Sequence, residues 1–247
     1  MLLSVSPVAR KSLAEFIGTA MLVAAVIGSG IAAQRLSPGD VGLQLFENTA
    51  ATAAALVAII LALGAVSGAH LNPVVSLVDR VLGGLTNGEV AVYVSSQILG
   101  GAAGAVIANV MFGDAAVTWS THHRATGGHL LGEVVATFGL VLVVFGVVRS
   151  GRAAAAPFAV AAYIASAYWF TSSTSFANPA VTLARTLANS FAGIAPSSAP
   201  GFIGAQLIGG AVGLVCVVAL YPGVSDVAEE VVLPHRASEP ERRGVVT

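Results

Sequence analysis

Two stretches of the sequence set out the same few polar groups in the same order. Ser67–Arg80 reads SGAHLNPVVSLVDR, and Thr171–Arg185 reads TSSTSFANPAVTLAR. In each, an Asn side-chain amide stands directly before a proline, with small or polar residues leading up to it. Proline has no N–H and a fixed φ, so it fits the first position of a helix. Asn caps such a start by accepting from a free backbone N–H, and the residue before a proline is held extended. Asn72-Pro73 and Asn178-Pro179 therefore each predict an abrupt helix start, followed by an apolar run too short to cross a bilayer. The extended approach leaves carbonyls without helical partners: those of Gly68, Ala69, His70 and Leu71, and those of Ser175, Phe176 and Ala177. Carbonyl acceptors and amide donors in series can trade hydrogen bonds with a neutral solute. No nucleophile, base and orienter converge on one motif, so the pattern is not that of an enzyme.

The elements that must position these groups are membrane helices. Of 247 residues, 56% are hydrophobic and 9% charged, with mean hydropathy +0.86; a soluble domain carries about a quarter charged residues. Six apolar stretches, roughly 12–33, 44–66, 89–112, 129–149, 155–173 and 200–221, approach the ~20 residues a helix needs to span. Net charge of −1 gives no footprint for nucleic acid. Cys216 is the single cysteine, which excludes an intrachain disulfide and a cysteine-based metal cluster and predicts a buried thiol. His122, His123 and His129 lie in or beside a polar loop, 113–128, with no carboxylate close by; no metal site and no cofactor are assigned, and metal binding by these histidines stays open. Residues 1–11 form a short lead, and 223–247 predict a charged, disordered tail.

The membrane domain, 12–222, is a repeat: 12–112 and 129–222 joined by the loop. Glu15 on the first span matches Glu133 on the fourth. Asn72-Pro73-Val74-Val75-Ser76-Leu77 matches Asn178-Pro179-Ala180-Val181-Thr182-Leu183. Gln97 in Ser96–Gly104 matches Gln206 in Ala205–Gly213. Each half holds three spans, an odd number, so the halves are inverted. Gly100/Gly104 and Gly209/Gly213 predict close helix packing. With the N-terminus inside, Arg10, Lys11, Arg80, Arg149, Arg152, Arg236, Arg242 and Arg243 lie in the cytoplasm, against Arg35, Arg124 and Arg185 outside. That excess orients both termini inward across a plasma (inner) membrane.

Inversion brings the two short helices in from opposite sides, their starts facing each other at the midplane. Irregular backbone at that depth is tolerated only where it is buried in protein or lines a wet cavity. Asn72 and Asn178 would add amide donors there, and each helix start about half a positive charge, opposing cations. Such a path suits small neutral solutes. Inverted repeats and broken helices also build alternating-access transporters, in which Glu15 or Glu133 would couple an ion. A carboxylate within a span faces protein by default; for Glu15, near a helix end, snorkelling is the alternative.

The paired Asn-Pro segments, Ala14-Glu15-Phe16, Gly68–Pro73 and Gln97/Gln206 resemble the aquaporin (major intrinsic protein) family over about residues 12–222. The resemblance implies an all-α fold of six membrane helices plus two re-entrant half-helices, assembled as a homotetramer in the lipid bilayer, with a pore in each subunit. Pro73, Val74, Pro179 and Ala180 would complete the pore midpoint, and Glu15, Glu133, Gln97 and Gln206 would act as struts for the loops. The family continues Asn-Pro-Ala with an arginine that forms part of an outer constriction; here that position is Val181. Counting by the family's spacing gives Thr52, Ser166 and Ser175 as the other three filter positions, hence a wide, uncharged filter. Asn-Pro-Val in the first motif would slightly crowd the midpoint. Arg185, one turn beyond Val181, is expected to anchor the end of its half-helix. Ala167–Arg185 resembles bacterial aquaglyceroporin-like channels found beside arsenic-resistance genes. The resemblance implies a passive channel for arsenous acid, glycerol or both as well as water, the alternative within the class being a general glycerol and water facilitator.

Overall fold

The computed structural model describes residues 6–221. Residues 1–5 of the expected lead, and 222–247 with the expected tail, lie outside them. The chain runs through α1 (Pro7–Leu36), α2 (Val41–Ser67), α3 (Pro73–Leu82), α4 (Asn87–Met111), α5 (Gly127–Arg149), α6 (Ala156–Phe170, after a 3-10 turn at Ala153–Ala155), α7 (Pro179–Arg185) and α8 (Ala199–Leu220). Six of these are long and apolar enough to cross a membrane. The exceptions, α3 with 10 residues and α7 with 7, reach only about 15 and 10 Å at 1.5 Å per residue.

The ends of the helices follow local chemistry. α1 starts earlier than the apolar pattern predicts, because Ser6 caps it through Ala9 N and Pro7 takes its first position. Arg10 and Lys11 therefore ride on the helix instead of preceding it. Lys11 Nζ lies 3.3 Å from Glu89 Oε1, joining the starts of α1 and α4, while Thr86 and Glu89 close a reciprocal cap on α4. Gly83, at φ 100°, ends α3.

The two halves pack alike. α1 lies along α4 and α5 along α8, while α2 meets α6 between the halves; each half-helix also touches the last helix of the other repeat, α3 on α8 and α7 on α4. The glycine pairs make the close crossings possible. A Cβ on Gly100 or Gly104 would collide with the Phe16 or Ala20 carbonyl of α1, and one on Gly209 with the Val134 carbonyl of α5. These obstacles are backbone and cannot turn aside. Cys216 is half-buried, not buried.

Gly104→Leu is expected to force α1 and α4 apart and to destabilise the bundle by at least about 1–3 kcal/mol. The readout is the thermal midpoint of monodispersity in detergent; an unchanged midpoint would mean that the two helices do not need this contact.

Candidate functional site

The chain leaves the helix before each Asn-Pro, and each departure is held by one buried carboxylate. Ala69 and Leu71 have φ of 45° and 51°; Thr174, Ser175 and Ala177 have 61°, 49° and 49°. Left-handed backbone in non-glycine residues costs about 1–3 kcal/mol each. It turns successive N–H groups to one side, and there Glu15 meets them. Glu15 Oε1 accepts from Ser67 Oγ at 2.7 Å and His70 N at 3.0 Å; Oε2 accepts from Leu71 N and Gln97 Nε2, both at 2.7 Å. Glu133 repeats the arrangement: Oε1 accepts from Phe176 N at 2.9 Å, Oε2 from Ala177 N at 2.8 Å and Gln206 Nε2 at 2.6 Å, with the Ser173 hydroxyl also bonded. Both carboxylates are fully buried. An unpaired buried charge would be very costly, so donors must converge on it.

A second layer ties the loops together. Asn72 Nδ2 donates to Ala177 O and Asn178 Nδ2 to Leu71 O, both at 2.7 Å. Each Asn also caps its own half-helix, Oδ1 of Asn72 accepting from Val74 N, and that of Asn178 from Ala180 N and Val181 N. Behind them, Gln97 Nε2 donates to Ser76 Oγ and Gln206 Nε2 to Thr182 Oγ1, and these hydroxyls donate to the Asn72 and Asn178 carbonyls. The two half-helix starts are thereby locked face to face.

A cavity runs past both Asn residues. It is lined by Ala69, His70, Leu71, Asn72, Ser175, Phe176 and Asn178 of the two Asn-Pro segments, together with the aliphatic side chains of Leu22, Val26, Leu56, Ile60, Leu140, Val144, Val160 and Ile164. Thr52, Tyr168, Val181 and Arg185 line the end on the α7 side. Ser175 Oγ is buried with no hydrogen-bond partner among the described residues, and Tyr168 OH reaches Thr52 Oγ1 at 3.4 Å. Neither Glu15 nor Glu133 touches the cavity, so neither stands where a coupling ion would meet the solute.

Several sequence expectations are corrected. Ser166 is exposed and donates to Tyr163 O at 2.7 Å; Val160, Ile164 and Tyr168, spaced by four, form the cavity face of α6. A shift of two residues turns a helical side chain by about 200°, and counting back from Asn178 crosses the irregular segment 171–177. Pro73, Val74, Pro179 and Ala180 are buried but do not line the cavity. The extra methyls of Val74 press on α8 at Gly210 and do not crowd the lumen. Gly68 ends α2 in the left-handed region and does not line the cavity, nor does Ala177. The Leu71 and Ala177 carbonyls already accept from the Asn amides, so the expected carbonyl series is shorter. The α7-side end is also not uncharged, because Arg185 lines it. Its guanidinium stacks 3.4 Å from the Phe176 ring centroid, and Nε donates to Ala192 O; it holds the following loop while facing the cavity.

Other working residues escaped the sequence reading. Ser67 and Ser173 each stand five residues before the Asn, and Ser76 and Thr182 four after it, so the repeat carried a signal for them. Tyr93 donates to Ser67 O at 2.7 Å and packs edge-on to His70. Tyr168 had no signal apart from the register of α6. His122 accepts at its carbonyl from Ala195 N, and His123 Nδ1 lies 3.4 Å from Ser197 Oγ; both belong to the segment folded over the end of α7.

Glu15→Ala would strand the N–H groups of His70 and Leu71, at about 1–3 kcal/mol each. The yield of folded protein on size exclusion should fall sharply, with partial recovery in Glu15→Gln, which keeps one acceptor oxygen; normal yield of the Ala variant would refute this role. Gly210→Ala should destabilise the native background more than a Val74→Ala background, with a coupling of about 0.5–3 kcal/mol in a double-mutant cycle of melting midpoints. Strict additivity would show that the two side chains do not meet.

Comparison with known proteins agrees with this geometry. A profile of the major intrinsic protein family matches residues 2–175. The aquaglyceroporin AqpS of Rhizobium meliloti is 47% identical over 211 residues, 85% of this chain and 88% of that protein. The probable aquaporin AqpM of Archaeoglobus fulgidus is 31% identical over 166 residues, 59% of this chain and 68% of that one. The X-ray structure of the Plasmodium falciparum aquaglyceroporin superposes with a TM-score of 0.64, covering 89% of this chain and 99% of that chain at 20% identity; this likeness is one of fold. Six spanning helices, two half-helices meeting at paired Asn-Pro starts and a family match over most of the sequence lead to one assignment: the chain belongs to the major intrinsic protein family of membrane channels.

Proposed function

We propose that the protein is a passive channel for water and small neutral hydroxylated solutes, with glycerol and arsenous acid among them. The observation that carries this reading is the mixed lining of the cavity, in which the two Asn-bearing segments and a set of aliphatic side chains share one passage. A polyol can set its C–H groups on the aliphatic side chains and exchange water for the Asn amides, loop carbonyls and the unpartnered Ser175 hydroxyl. Net gain per hydrogen bond is small, about 0.5–1.5 kcal/mol, so solutes can enter and leave without being trapped. The aquaglyceroporin name of the Rhizobium meliloti relative supports glycerol; the resemblance of Ala167–Arg185 to channels beside arsenic-resistance genes supports arsenous acid, a neutral trihydroxyl solute.

The excess of basic residues on one side supports an inner-membrane orientation with both termini in the cytoplasm, placing the α7 end of the cavity outside. Large apolar side chains exposed around the bundle, among them Leu13, Met21, Leu99, Leu131 and Val215, suit lipid and neighbouring subunits, in keeping with a homotetramer. An ion-coupled transporter is disfavoured because Glu15 and Glu133 are occupied by the loops.

Proteoliposomes carrying the protein should swell with glycerol and arsenous acid as well as water, with fluxes proportional to the solute gradient and independent of proton or sodium gradients. Val181→Arg should lower glycerol and arsenous acid flux far more than water flux. Saturating flux, or flux that requires an ion gradient, would overturn the channel reading.

A further inference from the structure

We infer that Arg185 is the cation-excluding residue of this channel, set one helical turn beyond Val181, so that charge exclusion and pore width fall to different side chains. The inference rests on the channel reading above. Among the described residues, Arg185 is the one lining side chain that carries a permanent charge. Val181, where the family's constriction arginine would stand, is an apolar wall on the same half-helix, and four residues further along α7 is a rise of about 6 Å.

The position of that charge is built and not incidental. Arg185 is 2% exposed. Its guanidinium carbon lies 3.4 Å from the centroid of the Phe176 ring, which also meets the ring of Phe202 edge-on and the guanidinium of Arg124 at 5.6 Å. Its Nε is held by the Ala192 carbonyl, and among the described residues no carboxylate lies within ion-pair distance of it. The acid whose field reaches both guanidiniums is Glu133, bonded to its own loop by neutral donors, so two positive charges stand here against one negative charge. Arg124 is tied in turn to Gly193 O and Phe191 O, so the second positive charge reinforces the first. A net positive charge fixed at the wall of a narrow passage repels other cations. A neutral solute feels no such barrier and can use the guanidinium as a donor, next to the unpartnered Ser175 hydroxyl. Held on the Phe176 ring, Arg185 supplies its field from one helical turn beyond Val181.

The test uses full-length protein in proteoliposomes: wild type, Arg185→Gln, Arg185→Lys, and the swap Val181→Arg/Arg185→Gln. Cation flux, read with a sodium-sensitive dye, and glycerol swelling are measured in the same vesicles. Arg185→Gln is expected to raise the ratio of cation to glycerol flux by roughly tenfold or more, the lower end of what a fixed charge does to local ion concentration. Arg185→Lys should keep the ratio near wild type, and the swap should restore cation exclusion while lowering glycerol flux. An unchanged ratio in Arg185→Gln overturns the inference, as does a leak in Arg185→Lys as large as that in Arg185→Gln. If neither single variant nor the swap assembles, Arg185 serves the loop and the inference also fails. Absence of glycerol flux in the wild type would instead refute the channel reading.

Discussion

The backbone of this protein can leave the helix in the middle of the bundle because a buried carboxylate receives the N–H groups that are set free. Lipid offers no donors or acceptors, so each interrupted turn must be satisfied from within. Glu15 and Glu133 do this from the paired helices α1 and α5, each gathering two backbone N–H groups, a serine hydroxyl and a glutamine amide. The exchange favours both parties: left-handed residues that would be strained alone are held in place, and a charge that would be unaffordable alone is surrounded by donors.

The rest of the architecture serves that exchange. The glycine crossings bring α1 against α4 and α5 against α8, so that Gln97 and Gln206 stand within reach of the carboxylates. The reciprocal bonds from Asn72 to Ala177 and from Asn178 to Leu71 then fuse two loops that are more than a hundred residues apart in sequence. These bonds occupy one acceptor site on each of the Leu71 and Ala177 carbonyls. The same polar groups cannot fully serve both the fold and the lumen, and here the fold has first claim on Leu71 and Ala177.

What remains for the lumen is a sparse set of polar atoms among aliphatic side chains. Sparseness suits passage, because a path saturated with donors and acceptors would bind its solute too well to release it. The α7 end adds a different chemistry: a guanidinium packed on an aromatic face, with its charge unbalanced by any ion pair among the described residues. Cation-on-ring stacking of this sort is worth about 2 kcal/mol or more when desolvated, enough to hold a long side chain in one orientation beside a wet cavity.

The sequence alone determined whatever depends on pattern and count. Six apolar stretches, two Asn-Pro starts, a Glu and a Gln in matching places and an odd number of spans per half specify an inverted bundle with two half-helices, since each is a local or periodic property. Cap residues set the ends of α3, α4 and α7 from within a few positions. Tertiary structure alone decided which face of each element looks into the lumen. Ser166 and Tyr168 are two residues apart, yet stand on opposite sides of α6, and no count across an irregular loop can fix that rotation. Val74 turned its methyls towards Gly210, because α8 offers a glycine-sized space and the lumen side is occupied by Asn72. Arg185 read as the anchor of a helix end until Phe176, Ala192 and the segment before α8 were folded around it. The orientation of a long side chain belongs to its neighbours in space, and a linear pattern does not contain them.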